Sequence, residues 1–222
     1  MNPSSLARLQ RGDILLMSDA SSTFNHFAIA FGQALMTHNR GSSKLTHVGI
    51  YDGQGGIIEA SGQAGLRIAS LASKAGLKYK VFRLIGESYQ ATCEMAADIA
   101  AQLCQRRAAN PDLLVDQGFG RFAKKKSISS VFRLSFMSTK AQMHLESLKQ
   151  DPTIDRGFYC SNLVTESYNL ACLYEEQDLL FNVDTRIVSP KKIHSQIKSD
   201  ANNNWQYVGK FVVEEDTLDW SN

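Results

Sequence analysis

The sequence predicts an α+β fold in one domain, an antiparallel sheet packed against helices, and two observations predict it. Short strand-like runs at 47–51 and 56–60 flank the turn residues Asp52, Gly53, Gln54 and Gly55, which is hairpin punctuation. Two longer stretches, 89–109 and 158–173, place apolar and small residues on one helical face. A chain of 222 residues with 43% hydrophobic content is long enough to bury a full core, so all of 1–222 is read as one domain.

Taken in order, Arg11, Gly12 and Asp13 open a short buried strand at 14–17, and residues 18–23 have loop chemistry. The apolar spacing of Phe27, Phe31 and Leu35 predicts a helix over 24–36. After the hairpin, residues 79–84 alternate as a third strand. In the helix over 89–109 the core face is Cys93, Ala96, Ile99, Ala100, Leu103 and Cys104, and Asn110 and Pro111 end it. Residues 112–156 mix Phe119, Phe122, Phe132 and Phe136 with basic residues and hold no sustained period, so they are read as an insertion. A second helix over 158–173 puts Leu163, Val164, Ser167, Tyr168, Ala171 and Cys172 on one side. Ser189 and Pro190 start a short helix through Ile193 and Ile197, and 205–213 is a last strand before an acidic tail.

Charge and composition exclude several functions. With 24 basic and 22 acidic residues the net charge is +2, too balanced for a surface built to hold a polyphosphate, so no nucleic-acid partner is expected. The four cysteines have no zinc-type spacing and are too few for a disulfide framework, and they are read as reduced thiols. No metal or organic cofactor is required. No run of apolar residues is long enough for stable membrane insertion, and the N-terminus has no secretory pattern. The expectation is a chain made in the cytoplasm, with export by a route that needs no cleaved leader left open.

The chemistry gathers at three places. If Val48 pairs with Ile58 across the hairpin, His47 stands opposite Glu59, with beta carbons roughly 5 Å apart, and the carboxylate can orient the imidazole and stabilise its charged form. Cys160 falls where the second long helix begins. There the helix dipole and a nearby His⁺ favour thiolate over thiol, and unpaired backbone N–H groups face outward to hold an oxyanion. Cys93, Cys104 and Cys172 lie on helix stripes and are read as structural, while His26, His38, His144 and His194 default to surface or satisfied polar roles.

Three segments carry a family resemblance: Arg11-Gly12-Asp13-Ile14-Leu15; Thr46-His47-Val48-Gly49-Ile50-Tyr51 with Ile57-Ile58-Glu59-Ala60; and Phe158-Tyr159-Cys160-Ser161-Asn162-Leu163-Val164. Together they resemble the circularly permuted NlpC-type papain-like cysteine hydrolases, the YiiX/YebB-like branch in particular, in which the His strand precedes the Cys helix. Ser189-Pro190 resembles a further short motif of that family. The resemblance implies a papain-like fold with Cys160 as nucleophile, His47 as base and Glu59 as third member. It also implies hydrolysis of an amide bond in a peptide, with cell-wall (peptidoglycan) peptides first in line. Asp13, Tyr51, Tyr159 and Ser161 are the candidates to line the substrate groove, although Asp13 is read first as the cap of a turn.

Two alternatives stay open. One is a lipid acyl hydrolase or acyltransferase of the lecithin:retinol acyltransferase-like type, and the other is a non-catalytic binding module on the same fold. The acyltransferase branch usually has a second His where this chain has Glu59, and a different sequence around the Cys, which favours the peptide reading. A leaderless chain acting on the cell wall would work on turnover fragments, or be delivered into another cell as an effector toxin with a neutralising immunity protein as its partner.

Overall fold

The computed structural model describes residues 1–18, 45–61, 65–109, 139–150 and 158–221. Within them run α1 (Pro3–Leu6), β1 (Ile14–Ser18), β2 (Leu45–Tyr51), β3 (Gly56–Ser61), β4 (Gly65–Ser70), β5 (Lys78–Leu84), α2 (Gln90–Ala109), α3 (Thr139–Gln150), α4 (Cys160–Tyr174), α5 (Pro190–Lys198), β6 (Trp205–Val213) and β7 (Leu218–Ser221). The strands form one antiparallel sheet in the order β4-β3-β2-β1-β5-β6-β7. The α+β class read from the sequence is therefore present, as a seven-stranded antiparallel sheet packed against helices. The predicted helix at 24–36, and residues 112–138 and 151–156 of the stretch read as an insertion, lie outside the described residues. Among the described residues no helix is long and apolar enough to cross a membrane.

Alternation along the strands sends side chains to two apolar clusters. Ile14, Leu16, Val48, Ile50, Ile58 and Ala60 face α2 and α4, where the small residues Cys93, Ala96, Ala97 and Ala100 of α2 let the helix lie close to the sheet. On the other face Leu15, Met17, Tyr51, Ile57, Ala69, Leu71, Tyr79, Val81, Phe211 and Leu218 form a second cluster. Ile57 of β3 and Ala69 of β4 share this cluster with Phe211 of β6 and Leu218 of β7, from toward the opposite edge of the sheet, so the sheet curls around it. That explains why β2 and β3 are buried along nearly their whole length.

The Arg11-Gly12-Asp13 turn ties these layers together. Gly12 has φ +88°, and a β-carbon there would sit 2.7 Å from the Cys93 carbonyl oxygen of α2. Its own carbonyl accepts the Tyr168 hydroxyl of α4. Arg11 donates to the Asp52 carbonyl at 2.6 Å, and Asp13 takes two bonds from Arg83 of β5, at 2.8 and 2.7 Å, and one from the Gln10 N–H at 2.8 Å.

Several elements differ from the sequence reading. The hairpin pairs Ile50 with Ile58 and Tyr51 with Ile57, two residues from the expected register. Continued along the strands, this sets Gly49 opposite Glu59. A slip of two keeps every side chain on its face, whereas a slip of one would have reversed them. The strand at 205–213 is followed by β7, which runs beside it through the acidic tail and packs Leu218 and Trp220 on the second cluster. β4 and α1 were not read from the sequence. The stretch treated as an insertion contains α3, whose Leu145 and Leu148 pack on Leu170 of α4.

Gly49 is a point where this packing can be tested. A β-carbon there would lie 2.6 Å from Ile57 Cγ1 and 2.8 Å from the Ile58 carbonyl oxygen. Gly49→Ala is expected to lower stability by about 1–3 kcal/mol in urea denaturation, without a change in the slope of the transition.

Candidate active site

Cys160 is the first residue of α4, after Tyr159 in extended conformation. Tyr159 is fixed at both ends: its N–H donates to Asn162 Oδ1 at 3.4 Å and its hydroxyl to the Thr185 carbonyl at 3.3 Å. The N–H groups of the first helical turn have no intrahelical acceptor, which gives this end of α4 donors and the positive end of the helix dipole. Ser161 is fully buried, with Oγ 3.9 Å from the Cys160 sulfur.

The sulfur reaches β2 because of how that strand is paired. The Tyr51 N–H goes to the Asp13 carbonyl on the β1 side, so by alternation the Val48 N–H points toward β3. The β2–β3 ladder has no pair beyond Ile50 and Ile58 in the direction of His47, which leaves the Val48 N–H to act on the Cys160 sulfur and favour its thiolate. His47, one residue earlier, comes close enough to the sulfur for charge and hydrogen bonding to act between them.

On its other side His47 Nε2 donates to Glu59 Oε2 at 2.8 Å. With Nε2 taken, Nδ1 is the nitrogen left for sulfur. His47 and Glu59 are diagonal neighbours on one face, and Gly49, which has no side chain, stands across from the carboxylate and leaves it room to lean toward the ring. Glu59 is buried to 1% exposure and its second oxygen is fully used: Oε1 accepts Arg67 Nε at 2.9 Å, Arg67 Nη2 at 2.7 Å and Lys74 Nζ at 2.6 Å. Sequence reasoning missed Arg67 and Lys74. The signal for Arg67 was the unread strand β4, which places it directly opposite Glu59.

The electrostatics follow from this arrangement. Burial pushes the Glu59 carboxyl upward, but its hydrogen bond and charge interaction with His47, together with Lys74, hold it well below the usual carboxylate range. Burial alone would lower His47. The Cys160 thiolate and the Glu59 carboxylate outweigh it and raise the imidazole to about 10. Burial likewise opposes ionisation of Cys160, and the His47 charge and hydrogen bond, the Val48 N–H and Ser161 overcome it and lower the thiol. The other three thiols go the opposite way: burial raises Cys93 to about 11, Cys104 to about 12 and Cys172 to about 11. All four cysteines are free.

Thus Cys160, His47 and Glu59 come together, with Tyr159 and Ser161 beside them in the chain. Asp13 and Tyr51 do not join them. Both sit at the opposite end of the β1–β2 pair from His47, where Asp13 holds Arg83 and the Tyr51 hydroxyl accepts the Gly55 N–H at 3.1 Å. Those contacts are structural, and the site residues reached from the sequence therefore divide by strand end. His144 is bonded to Glu166 at 3.1 Å, as a satisfied polar residue should be, while His194 keeps a buried nitrogen without a partner among the described residues. Among the described residues no group of three His, Cys, Asp or Glu could hold a metal ion. The chain matches no family model, no curated protein and no solved structure.

Replacing Glu59 tests the geometry. Glu59→Gln leaves Arg67, Lys74 and His47 without their anion and is expected to cost about 3 kcal/mol or more at neutral pH. Because the folded carboxyl lies below its ordinary value of 4.5, that contribution is present above 4.5 and is lost as pH falls. Urea denaturation of both proteins should therefore show a gap that narrows on acidification. A gap independent of pH would assign the loss to packing.

Proposed function

We propose that the chain is a cysteine hydrolase of the papain-like, permuted NlpC type, in which Cys160 is the nucleophile, His47 the acid and base, and Glu59 the group that orients it. One observation carries this reading: of four buried thiols, Cys160 alone is pushed toward thiolate, and it is the one beside an imidazole fixed by a carboxylate. A structural cysteine needs neither neighbour.

In the proposed reaction the Cys160 thiolate attacks the carbonyl carbon of an amide, and the electron pair of the C=O bond moves to oxygen. Backbone N–H groups at the start of α4 hold that oxyanion. As the C–N bond breaks, the imidazolium gives its proton to the leaving nitrogen, and a thioester remains on Cys160. The neutral imidazole then takes a proton from water, hydroxide adds to the thioester, and collapse releases a carboxylic acid and restores the thiolate. Glu59 stays ionised throughout and keeps Nδ1 turned to the sulfur.

The substrate class rests on the family resemblance. It is an amide in a peptide, with cell-wall peptides the leading case, and a neutralising protein is the expected partner if the chain is delivered as a toxin.

Mass spectrometry of isolated peptidoglycan and of a lipid panel, each incubated with wild type and with Cys160→Ala, tests this reading. New amide-cleavage products that require the thiol are expected. Thiol-dependent lipid products would move the assignment to the acyltransferase branch, and no products at all would leave a binding module. With an active substrate, the rate should fall on the alkaline side near pH 10, where His47 loses its proton and with it the acid for the leaving group.

A further inference from the structure

Away from the Cys160 site, the C-terminal half of α5 leaves a cavity of about 360 Å³ against β5 and β6, within the roughly 300–1,000 Å³ of small-molecule pockets. His194, buried to 6% exposure, forms part of the wall, with its Nε2 closed off from solvent and without a hydrogen-bond partner among the described residues. One feature of the lining points to a ligand.

That feature is an excess of positive charge. Lys80 and Lys198 both line the cavity, and neither makes an ion pair or hydrogen bond with a described residue. Lys210 stands opposite Lys80 across the β5–β6 ladder. Among the described residues the only carboxylate in the lining is Asp200, held in its own turn by the Asn202 N–H at 3.2 Å and the Asn204 N–H at 2.8 Å, so two ammonium groups face one carboxylate. The crowding is felt by the groups themselves. Burial lowers Lys80 and the charges of Lys198 and Lys210 lower it further, while burial followed by Lys80, Lys198 and Lys191 brings His194 down to about 4. An anion would relieve this repulsion.

The remaining walls are flat and apolar. Phe82 meets His194 edge-on with ring centres 5.5 Å apart and lies 5.4 Å from Tyr207, and Trp205 closes one side. We propose that this cavity binds a small organic anion, a carboxylate or phosphate monoester carried on an aromatic body, with Lys80 and Lys198 holding the charge and Phe82, Trp205 and Tyr207 holding the ring. Neither residue set overlaps Cys160, His47 or Glu59, so the site stands whether or not the thiol is catalytic.

Phenyl phosphate, benzoate, inorganic phosphate and phenol are the probes, titrated into the full chain while the indole N–H signals of Trp205 and Trp220 are followed by NMR. The expected result is a saturable shift of Trp205, and not of Trp220, with phenyl phosphate or benzoate. The tighter of the two identifies the anionic head. Inorganic phosphate and phenol should each bind more weakly, since each supplies one half of the ligand. The combined change Lys80→Met and Lys198→Met should weaken binding at least about tenfold, in line with the loss of charged hydrogen bonds. Lys198→Met alone, at an exposed position at the end of α5, gives the same direction if the double variant fails to fold. Absence of a saturable Trp205 shift, phenol binding as tightly as phenyl phosphate, or binding unaffected by loss of the lysines would each overturn the proposal.

Discussion

A carboxylate as deeply buried as Glu59 stays charged only if cations surround it, and the arrangement of the site descends from that constraint. Arg67 and Lys74 saturate Oε1, which fixes the carboxylate plane and leaves Oε2 aimed at His47. With its Nε2 anchored, the imidazole has one free nitrogen and one direction in which to offer it. The negative charge of Glu59 and that of the sulfur then both favour the imidazolium, which in turn favours the thiolate. Remove the carboxylate and three cations face one another in a poorly solvated space.

The second requirement is that sulfur be held still against that ring, and α4 meets it by being buried on every side. Leu163, Val164 and Tyr168 face the sheet, and the polar residues have defined partners: Asn169 pairs with the Phe181 backbone through bonds of 2.9 and 3.0 Å, and Glu166 accepts from His144 and Thr185. The Tyr168 hydroxyl bonded to Gly12 ties the same helix to the turn before β1. The turn motif at Arg11, Gly12 and Asp13 thus acts through the fold and at a distance from Cys160.

Periodicity and turn chemistry were enough to read β1, β2, β3, β5, α2, α4, α5 and β6, because each has a buried face whose spacing survives in the sequence. The meeting of His47 with Glu59 was legible for a subtler reason. The assumed register was off by two residues, but parity alone decides which face a side chain takes, and long side chains reach a diagonal neighbour. β7 was hidden because Glu214, Glu215 and Asp216 precede Leu218 and Trp220 and made the segment look like a solvated tail. α3 carries Ala141, Leu145 and Leu148 at helical spacing, yet its other faces are polar and it follows a stretch without a period. Arg67 was missed with the strand that carries it, although it stands directly opposite Glu59, whereas Lys74 and the bare nitrogen of His194 depend on how the turn after β4 and the packing of α5 fold back.

The charge state shared by Cys160 and His47 is what the proposed reaction requires first. Nitrogen NMR of the His47 ring in the wild type and in Cys160→Ser reads it directly, without a substrate. The expected result is an imidazolium at neutral pH in the wild type that persists to about pH 10, and a ring that loses its proton at distinctly lower pH once the thiolate is gone. A neutral His47 at pH 7 in the wild type, titrating as it does in Cys160→Ser, would contradict the ion pair and the reaction built on it.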